Sequence, residues 1–431
     1  MVLFNFLRSW MRSPKAEPHQ VSFQLAIAPL PPKFLVLSQT PRVPTHGIPL
    51  EVVLDILETV CYEDGAMAAE LLRTCSLVCK SWSFPAQKLL FRRIHLCSQA
   101  AYNSFVYAAD RSTERGRILG DSVVQMHVVL DNNQPGPLKQ ASFAHGVTLC
   151  PNLHELSLAL YGCGEPGNDI VGSPALERMR RPAPSFELGT LELLRTGPPI
   201  MSLHFSNWSD NDQSIVQLLD IWPSLQSLSI TGKTPHLSPG LTQPPFASAL
   251  TRLRMNCQHE SSLDFLEWLL HTSSQANSLC AIELDREPSL DLLDYLTKNH
   301  MGSLQELAIP SCATSEHATA VIRCRSLRQL RTERPSMSIV PSVFRQLPMG
   351  IQHLAFGMDQ DTPLQTLIDA VKTRDELESI TVNVWDKGNN HRQLPGLKMA
   401  CALRGVDLRI TNDVRVHRAM VRGRTITHLL C

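Results

Sequence analysis

The stretch Leu225-Gln226-Ser227-Leu228-Ser229-Ile230 decides the fold, because its L-x-x-L-x-L pattern of apolar residues recurs along the chain. Close copies begin at Leu153, Leu304 and Leu377. Looser copies begin at Ile200, Leu250, Leu279, Leu327, Ile351 and Leu403. From position 200 onward, consecutive copies start 23 to 29 residues apart. Such a period is typical of repeat proteins in which each repeat is one structural unit.

The alternation inside each phrase predicts a short strand. Its second and third apolar residues point to one side of that strand, and the residues between them point to the other. Segments with helical spacing, such as residues 261–270, separate the phrases. The series resembles the leucine-rich-repeat family, which implies an α/β solenoid shaped like a horseshoe. A strand over residues 123–130 is predicted to open the array.

In a repeat solenoid the neighbouring strands form a concave sheet, whose outward side chains vary without disturbing the core. The main candidates for this concave face are Glu155, Ser227, Ser229, Arg252, Arg254, Glu306, Arg331 and His353. Equivalent positions are Ser157, Ser202, His204, Glu283, Gln329, Ser379 and Thr381. These residues lack the basic stripe and interleaved aromatic residues typical of nucleic-acid binding. We therefore expect the face to hold a protein.

A different pattern occupies the N-terminal region. Residues 48–57 read Ile-Pro-Leu-Glu-Val-Val-Leu-Asp-Ile-Leu, and residues 75–82 read Cys-Ser-Leu-Val-Cys-Lys-Ser-Trp. The apolar residues recur at helical spacing, which predicts a first helix from Pro49 and a second from about Met67 to Ser83. Pro85 is expected to end the second helix, and a third follows it. Three short helices predict a small bundle.

These segments resemble the F-box family in their Ile48-Pro49 start, in Glu51, and in the phrase Val78-Cys79-Lys80-Ser81-Trp82. The resemblance implies that the bundle docks on a Skp-family adaptor. The residues carried over to that contact and its support are Ile48, Pro49, Val52, Ile56, Leu77, Val78 and Trp82. The fold class is therefore a small all-α F-box bundle followed by an α/β leucine-rich-repeat solenoid.

Together the two resemblances imply a substrate-recognition subunit of an SCF-type, cullin-based E3 ubiquitin ligase. The partners would be the Skp-family adaptor, the cullin ligase core and a target protein that the sequence does not identify. The alternative is a scaffold outside any ligase, whose repeats serve only as an interaction platform. The chain carries none of the common catalytic or phosphate-binding motifs, so no catalytic residue, cofactor or metal ligand is assigned.

The predicted domains are a proline-rich, disordered arm over 1–46, the F-box over 47–96, irregular repeats over 97–411, and a tail over 412–431. The chain has 40 basic and 40 acidic residues, so its net charge does not favour nucleic acid or an anionic membrane. The twelve cysteines lack the spacing of a disulfide framework. We expect a reducing compartment, the cytoplasm or the nucleus, and no membrane association.

Overall fold

The computed structural model describes residues 49–61, 69–162, 185–209, 211–237, 244–312, 314–334, 341–386 and 388–425. Within them the chain divides into two compact units, one ending at Arg92 and one beginning at Arg93. The predicted N-terminal arm and Ile48 lie outside the described residues.

The second unit is built on a sheet of twelve described strands, in which strand order follows chain order and every neighbouring pair is parallel. The strands are β1 (Arg93–Leu96), β2 (Gln125–Asp131), β3 (Glu155–Tyr161), β4 (Ser202–Trp208), β5 (Ser227–Gly232), β6 (Arg252–Cys257), β7 (Ala281–Leu284), β8 (Glu306–Ala308), β9 (Gln329–Arg331), β10 (His353–Met358), β11 (Ser379–Val384) and β12 (Asp407–Thr411). Each repeat therefore adds one strand beside the previous one, which is the α/β solenoid that the leucine phrases predict.

Helices connect most of the neighbouring strands, as is usual for parallel pairing, but no described residue between β5 and β6 is helical. The first unit holds α1 (Leu50–Cys61), α2 (Ala69–Val78) and α3 (Lys80–Phe91). The second unit holds α4 (Gln99–Ala108), α5 (Glu114–Asp121), α6 (Gln140–Thr148), α7 (Leu188–Arg195), α8 (Gln213–Ile221), α9 (Leu263–Ala276), α10 (Leu290–His300), α11 (Ser315–Ile322), α12 (Pro341–Gln346), α13 (Gln365–Thr373), α14 (Leu394–Arg404) and α15 (Val414–Thr425). Among the described helices, none is both long and apolar enough to cross a lipid bilayer.

The leucine phrases set the phase of the sheet. From Ile200 to Leu377, each strand begins two residues after the first apolar residue of its phrase. Leu228 pairs in register with Leu203 on one side and Leu253 on the other, and all three are buried. Because the same phrase position falls at the same depth in every repeat, the apolar side chains stack into a continuous core.

Serines that precede the phrases connect successive repeats. The Ser278 hydroxyl donates to the Leu250 carbonyl at 2.8 Å, and the Ser303 hydroxyl donates to the Leu279 carbonyl at 2.9 Å. Ser224 makes the equivalent bond two repeats before Ser278, donating to the Ile200 carbonyl at 3.1 Å. These bonds satisfy buried backbone acceptors at the entry to each strand.

Two ends of the array differ from the sequence prediction. The sheet begins at Arg93, so residues 93–96 form β1 rather than the end of the bundle, and the strand predicted over 123–130 is the second one. At the other end, Leu403 lies exposed on α14, so the phrase assigned there was wrong. The last strand follows Gly405, whose φ of +71° ends α14 in the left-handed region that glycine favours.

The first unit has a core formed by Val53, Leu57, Leu72, Cys75, Ala86, Leu89 and Leu90, with Trp82 packed against it. Its three described helices match the predicted number, but the second boundary was wrong. The break falls at Cys79, where the backbone is extended, and Pro85 lies inside α3. Pro85 is the sixth residue of α3, where it cannot donate the i→i−4 hydrogen bond and its ring crowds the preceding turn, yet the helix continues to Phe91.

Candidate functional site

The candidate site is the polar face, by which we mean the side of the sheet formed by the residues that alternate with the buried ones. Its side chains lie in two rows, because the strands pair in register. One row runs through Ser227, Arg252, Ala281, Glu306, Gln329 and His353. The other runs through Ser229, Arg254, Glu283, Ala308 and Arg331.

A lattice of ion pairs crosses the middle of the polar face. Arg252 donates from both terminal nitrogens to the two carboxylate oxygens of Glu306, each at 3.2 Å. Ala281 lies between them in the row, and its short side chain leaves room for the longer ones to meet above it. Bidentate pairing fixes the plane of the guanidinium as well as its distance.

The second row repeats this arrangement. Arg331 Nη2 lies 2.5 Å from Glu283 Oε1. Ala308, on the intervening strand β8, lies between these two residues in the row. Arg254 Nε lies 3.3 Å from the same carboxylate, and Arg254 Nη2 donates to Asp285 at 2.8 Å. The Arg331 side chain is 7% exposed, so little water can hydrate its charge. Its pairing with Glu283 therefore matters more for stability than the pairing of a surface arginine does.

The lattice surrounds a cavity of about 230 Å³. Six of the eight main candidates line it, namely Ser227, Ser229, Arg252, Arg254, Glu306 and Arg331, as do the equivalent positions His204, Glu283 and Gln329. Positively and negatively charged side chains are therefore held at fixed positions around this open cavity. This arrangement suits the polar and charged side chains of a protein segment, because both the ligand and the site keep their hydrogen bonds.

The N-terminal part of the polar face carries less charge. Glu155 Oε1 lies 3.4 Å from His204 Nε2, and Gln125 donates to its other oxygen at 2.7 Å. The hydrogen bond from His204 is the main reason why the pKa of Glu155 is lowered. On β1 and β2, His95 and His127 are paired in register with their ring centroids 5.1 Å apart. Burial lowers the pKa of both rings, so they are neutral at pH 7.

At the C-terminal end, a helix covers the polar face. The sequence predicted a tail over 412–431, but residues 414–425 form α15, which packs on β11 and β12. Ser379 and Thr381, predicted to be exposed, are 3% and 7% exposed. This helix was not predicted because residues 412–425 contain no leucine phrase, and the helix packs on β11 as well as on the adjacent β12.

Two residues of α15 fix its position. Arg418 pairs in bidentate fashion with Glu333, through Nη2–Oε2 at 2.6 Å and Nε–Oε1 at 3.0 Å. His417 is fully buried, and burial lowers its pKa to about 4, so the ring is neutral at pH 7. Burial alone would raise the pKa of Glu333, but the Arg418 and Arg331 guanidinium groups more than offset it.

His353 is the last of the eight main candidates for the polar face. It lies on β10 beside the covered strand, and its Nδ1 is 2.9 Å from the Ser379 hydroxyl. It does not line the central cavity. Sequence reasoning missed Asp285, Glu333 and Arg418. The first two lie six residues after Leu279 and Leu327, so extending the alternation by one step would have found them.

The predicted docking residues of the first unit divide into exposed and supporting ones. Val52 and Ile56 on α1 are each 43% exposed, and Leu77 and Val78 at the end of α2 are 71% and 63% exposed. Pro49 is exposed as well, whereas Trp82 packs against the core. The apolar residues of α1 thus face two ways, since Val53 and Leu57 form the core.

The cysteines of the first unit differ in exposure, since Cys75 is buried in the core and Cys79 is exposed. Cys97, in the second unit, is exposed as well. Within the described part of the chain, no group of three or more histidine, cysteine, aspartate or glutamate side chains is placed to hold a metal ion.

Solved structures of low similarity match this chain. No protein-family model matches the chain, and no curated protein matches it. Among solved structures, it is similar to a chain of the Toll–Spatzle complex of Drosophila, at 13% identity and a TM-score of 0.33, over 54% of this chain and 27% of that one. It is also similar to a chain of a TLR13–ssRNA13 complex, at 15% identity and a TM-score of 0.34, over 63% and 34%. The chain thus spans about a third or less of the length of these two proteins.

Proposed function

We propose that this chain is the substrate-recognition subunit of an SCF-type ubiquitin ligase. The first unit docks the Skp-family adaptor, and the polar face of the solenoid holds the target protein. The observation that carries the proposal is the solvent exposure of four apolar residues of the first unit, Val52, Ile56, Leu77 and Val78. These are residues that the F-box resemblance assigns to the adaptor contact.

Exposure of these four apolar side chains to water is unfavourable in free energy, and a partner that buries them would remove this cost. Each of the four side chains keeps between 43% and 71% of its surface in water, and burying such a side chain contributes about 1.5–3 kcal/mol at most. Val52 and Ile56 are spaced i and i+4, so they lie on one side of α1. Paired apolar residues outside a core that is already formed are typical of a protein–protein contact.

The polar face supports the second half of the proposal. Its central lattice offers fixed charges of both signs around an open cavity, and the described sheet provides no other partner for that surface. The chain would then act by holding the target protein close to the conjugating enzyme. Binding the target and the adaptor at once raises the concentration of target lysines near the conjugating enzyme.

The test is co-purification of the full chain with a Skp-family adaptor. Ile56→Asp and Leu77→Asp should each lower adaptor binding at least tenfold, because each places a charge in an apolar interface. Leu403→Asp is the matched control, since Leu403 is 79% exposed and lies on α14 of the other unit. Retained adaptor binding by both unit-one variants, or no binding by the native chain, would leave a repeat scaffold as the alternative.

A further inference from the structure

The C-terminal helix α15 occupies part of the surface that the repeats would otherwise present. It lies over β11, where Ser379, Thr381 and Asn383 are each less than a tenth exposed. At the equivalent positions of β6, Arg252 and Arg254 are partly exposed and line the open cavity instead. The polar face therefore has an open centre and a C-terminal end that is occupied by a segment of the same chain.

The contact between α15 and the sheet is specific in charge. The helix sequence contains four arginines and no acidic residue. Arg418 reaches the carboxylate of Glu333, and Asp285 and Glu283 act on it from the same side. Bidentate pairing of a guanidinium with a carboxylate recognises arginine over lysine. The neighbouring His417 and Val421 are both buried, which provides an apolar anchor on the same side of the helix.

We propose that this end of the polar face is a binding site for an arginine-bearing helix, and that α15 is its intramolecular occupant. A partner protein would dock by placing its own arginine on Glu333 and its own apolar residues where His417 and Val421 lie. Displacement of α15 would also expose Ser379 and Thr381 on β11. The partner class is a helix with a basic face, not an acidic or phosphorylated segment.

The charges of the surface support this partner over an acidic one. The nearby arginines Arg254 and Arg331 are already paired with Glu283 and Asp285. Glu333 is the carboxylate whose described side-chain partner is supplied by α15. An incoming acidic segment would replace a favourable pair with repulsion, whereas an incoming arginine reproduces the contact already present.

The experiment uses the full chain and a labelled peptide with the sequence of residues 412–425. In the native chain α15 competes with the peptide at high effective concentration, so the peptide should bind weakly. In the Arg418→Glu chain, whose own helix is released, the native peptide should bind at least tenfold more tightly. Adding Glu333→Gln to that chain should remove the gain. A peptide carrying the Arg418→Glu change should not bind, whereas one carrying Arg415→Glu, at an exposed arginine, should bind normally.

Hydrogen exchange of residues 414–425 supplies the second readout. Arg418→Glu should increase exchange across α15, and the double variant Glu333→Lys with Arg418→Glu should restore protection by reversing the pair. If Arg418→Glu alters the circular dichroism of the whole chain, Val421→Asp serves as the releasing variant. Equal peptide binding to native and released chains, or binding that is insensitive to Glu333, would overturn the proposal. The assay contains no adaptor, so its failure leaves adaptor docking untouched.

Discussion

Neutralising Glu283 should destabilise the solenoid far more than neutralising Glu306, although both are glutamates paired with arginine on the same face. Glu283→Gln keeps the shape of the side chain and removes its charge. The partner left behind is Arg331, whose side chain is 7% exposed. The partner left by Glu306→Gln is Arg252, which is 28% exposed and can be hydrated.

The magnitudes follow from this difference in burial. Removing one member of a buried ion pair costs about 3–5 kcal/mol, because an unpaired charge stays buried. Glu283 itself is 22% exposed and Arg254 remains nearby, so about 2–4 kcal/mol is the expected loss for Glu283→Gln. An exposed pair contributes about 0–1 kcal/mol, which is the expected loss for Glu306→Gln.

Urea unfolding monitored by tryptophan fluorescence measures both losses, since the buried Trp222 reports on the central repeats. A double-mutant cycle with Arg331→Met isolates the pair, and its coupling energy should exceed about 1.5 kcal/mol. Equal shifts for the two glutamine variants, or a coupling energy near zero, would refute the reasoning that burial of Arg331 makes Glu283 indispensable.

Three further perturbations test the repeat architecture. In urea unfolding, Leu228→Ala should cost about 2–5 kcal/mol of unfolding free energy by leaving a core cavity, while Leu403→Ala, at an exposed site, should change that free energy by less than about 0.5 kcal/mol; similar losses would contradict the phase of the repeats. His300 is fully buried and burial lowers its pKa to about 4, so its neutral form stabilises the fold above pH 6.5 and this contribution is lost as the pH falls toward 4. Unfolding measured at pH 7 and pH 4 should show that His300→Leu reduces the loss of unfolding free energy between these two pH values by about 3 kcal/mol. An unchanged pH dependence would argue against burial of the neutral ring. Gly232→Ala should lower the melting temperature, because φ is +92° and a Cβ there would lie 2.1 Å from the Asn207 carbonyl oxygen; a melting temperature equal to that of the native chain would contradict this geometry.

The repeat pattern was sufficient to predict the solenoid because each phrase is a local signal with a fixed period. It failed where the signal changed its residue types. Phe91 stands in the first apolar position before β1, so the opening phrase was not recognised, and Gly405 stands there before β12. In both cases the alternation inside the strand is intact, while the leucine that marks the phrase is absent.

The residues that form the polar face could be predicted from the sequence, but the ion pairs between them could not. Arg252 and Glu306 are separated by an intervening strand, so their contact depends on the register of three repeats and on the small side chain of Ala281. The cover supplied by α15 depends on Arg418 reaching Glu333, which is 85 residues earlier in the chain. Such contacts arise from tertiary packing, and no local pattern in the sequence encodes them.

The measurement that tests the central claim most directly has two steps. A protein is first captured by crosslinking to the polar face, and its ubiquitination by a reconstituted adaptor and cullin core is then measured. We predict that Arg252→Glu prevents capture of that protein while adaptor binding continues, and that Ile56→Asp prevents its ubiquitination while capture continues. Ubiquitination that survives both changes, or capture and adaptor binding that are lost together in either variant, would contradict a receptor with two separate docking surfaces.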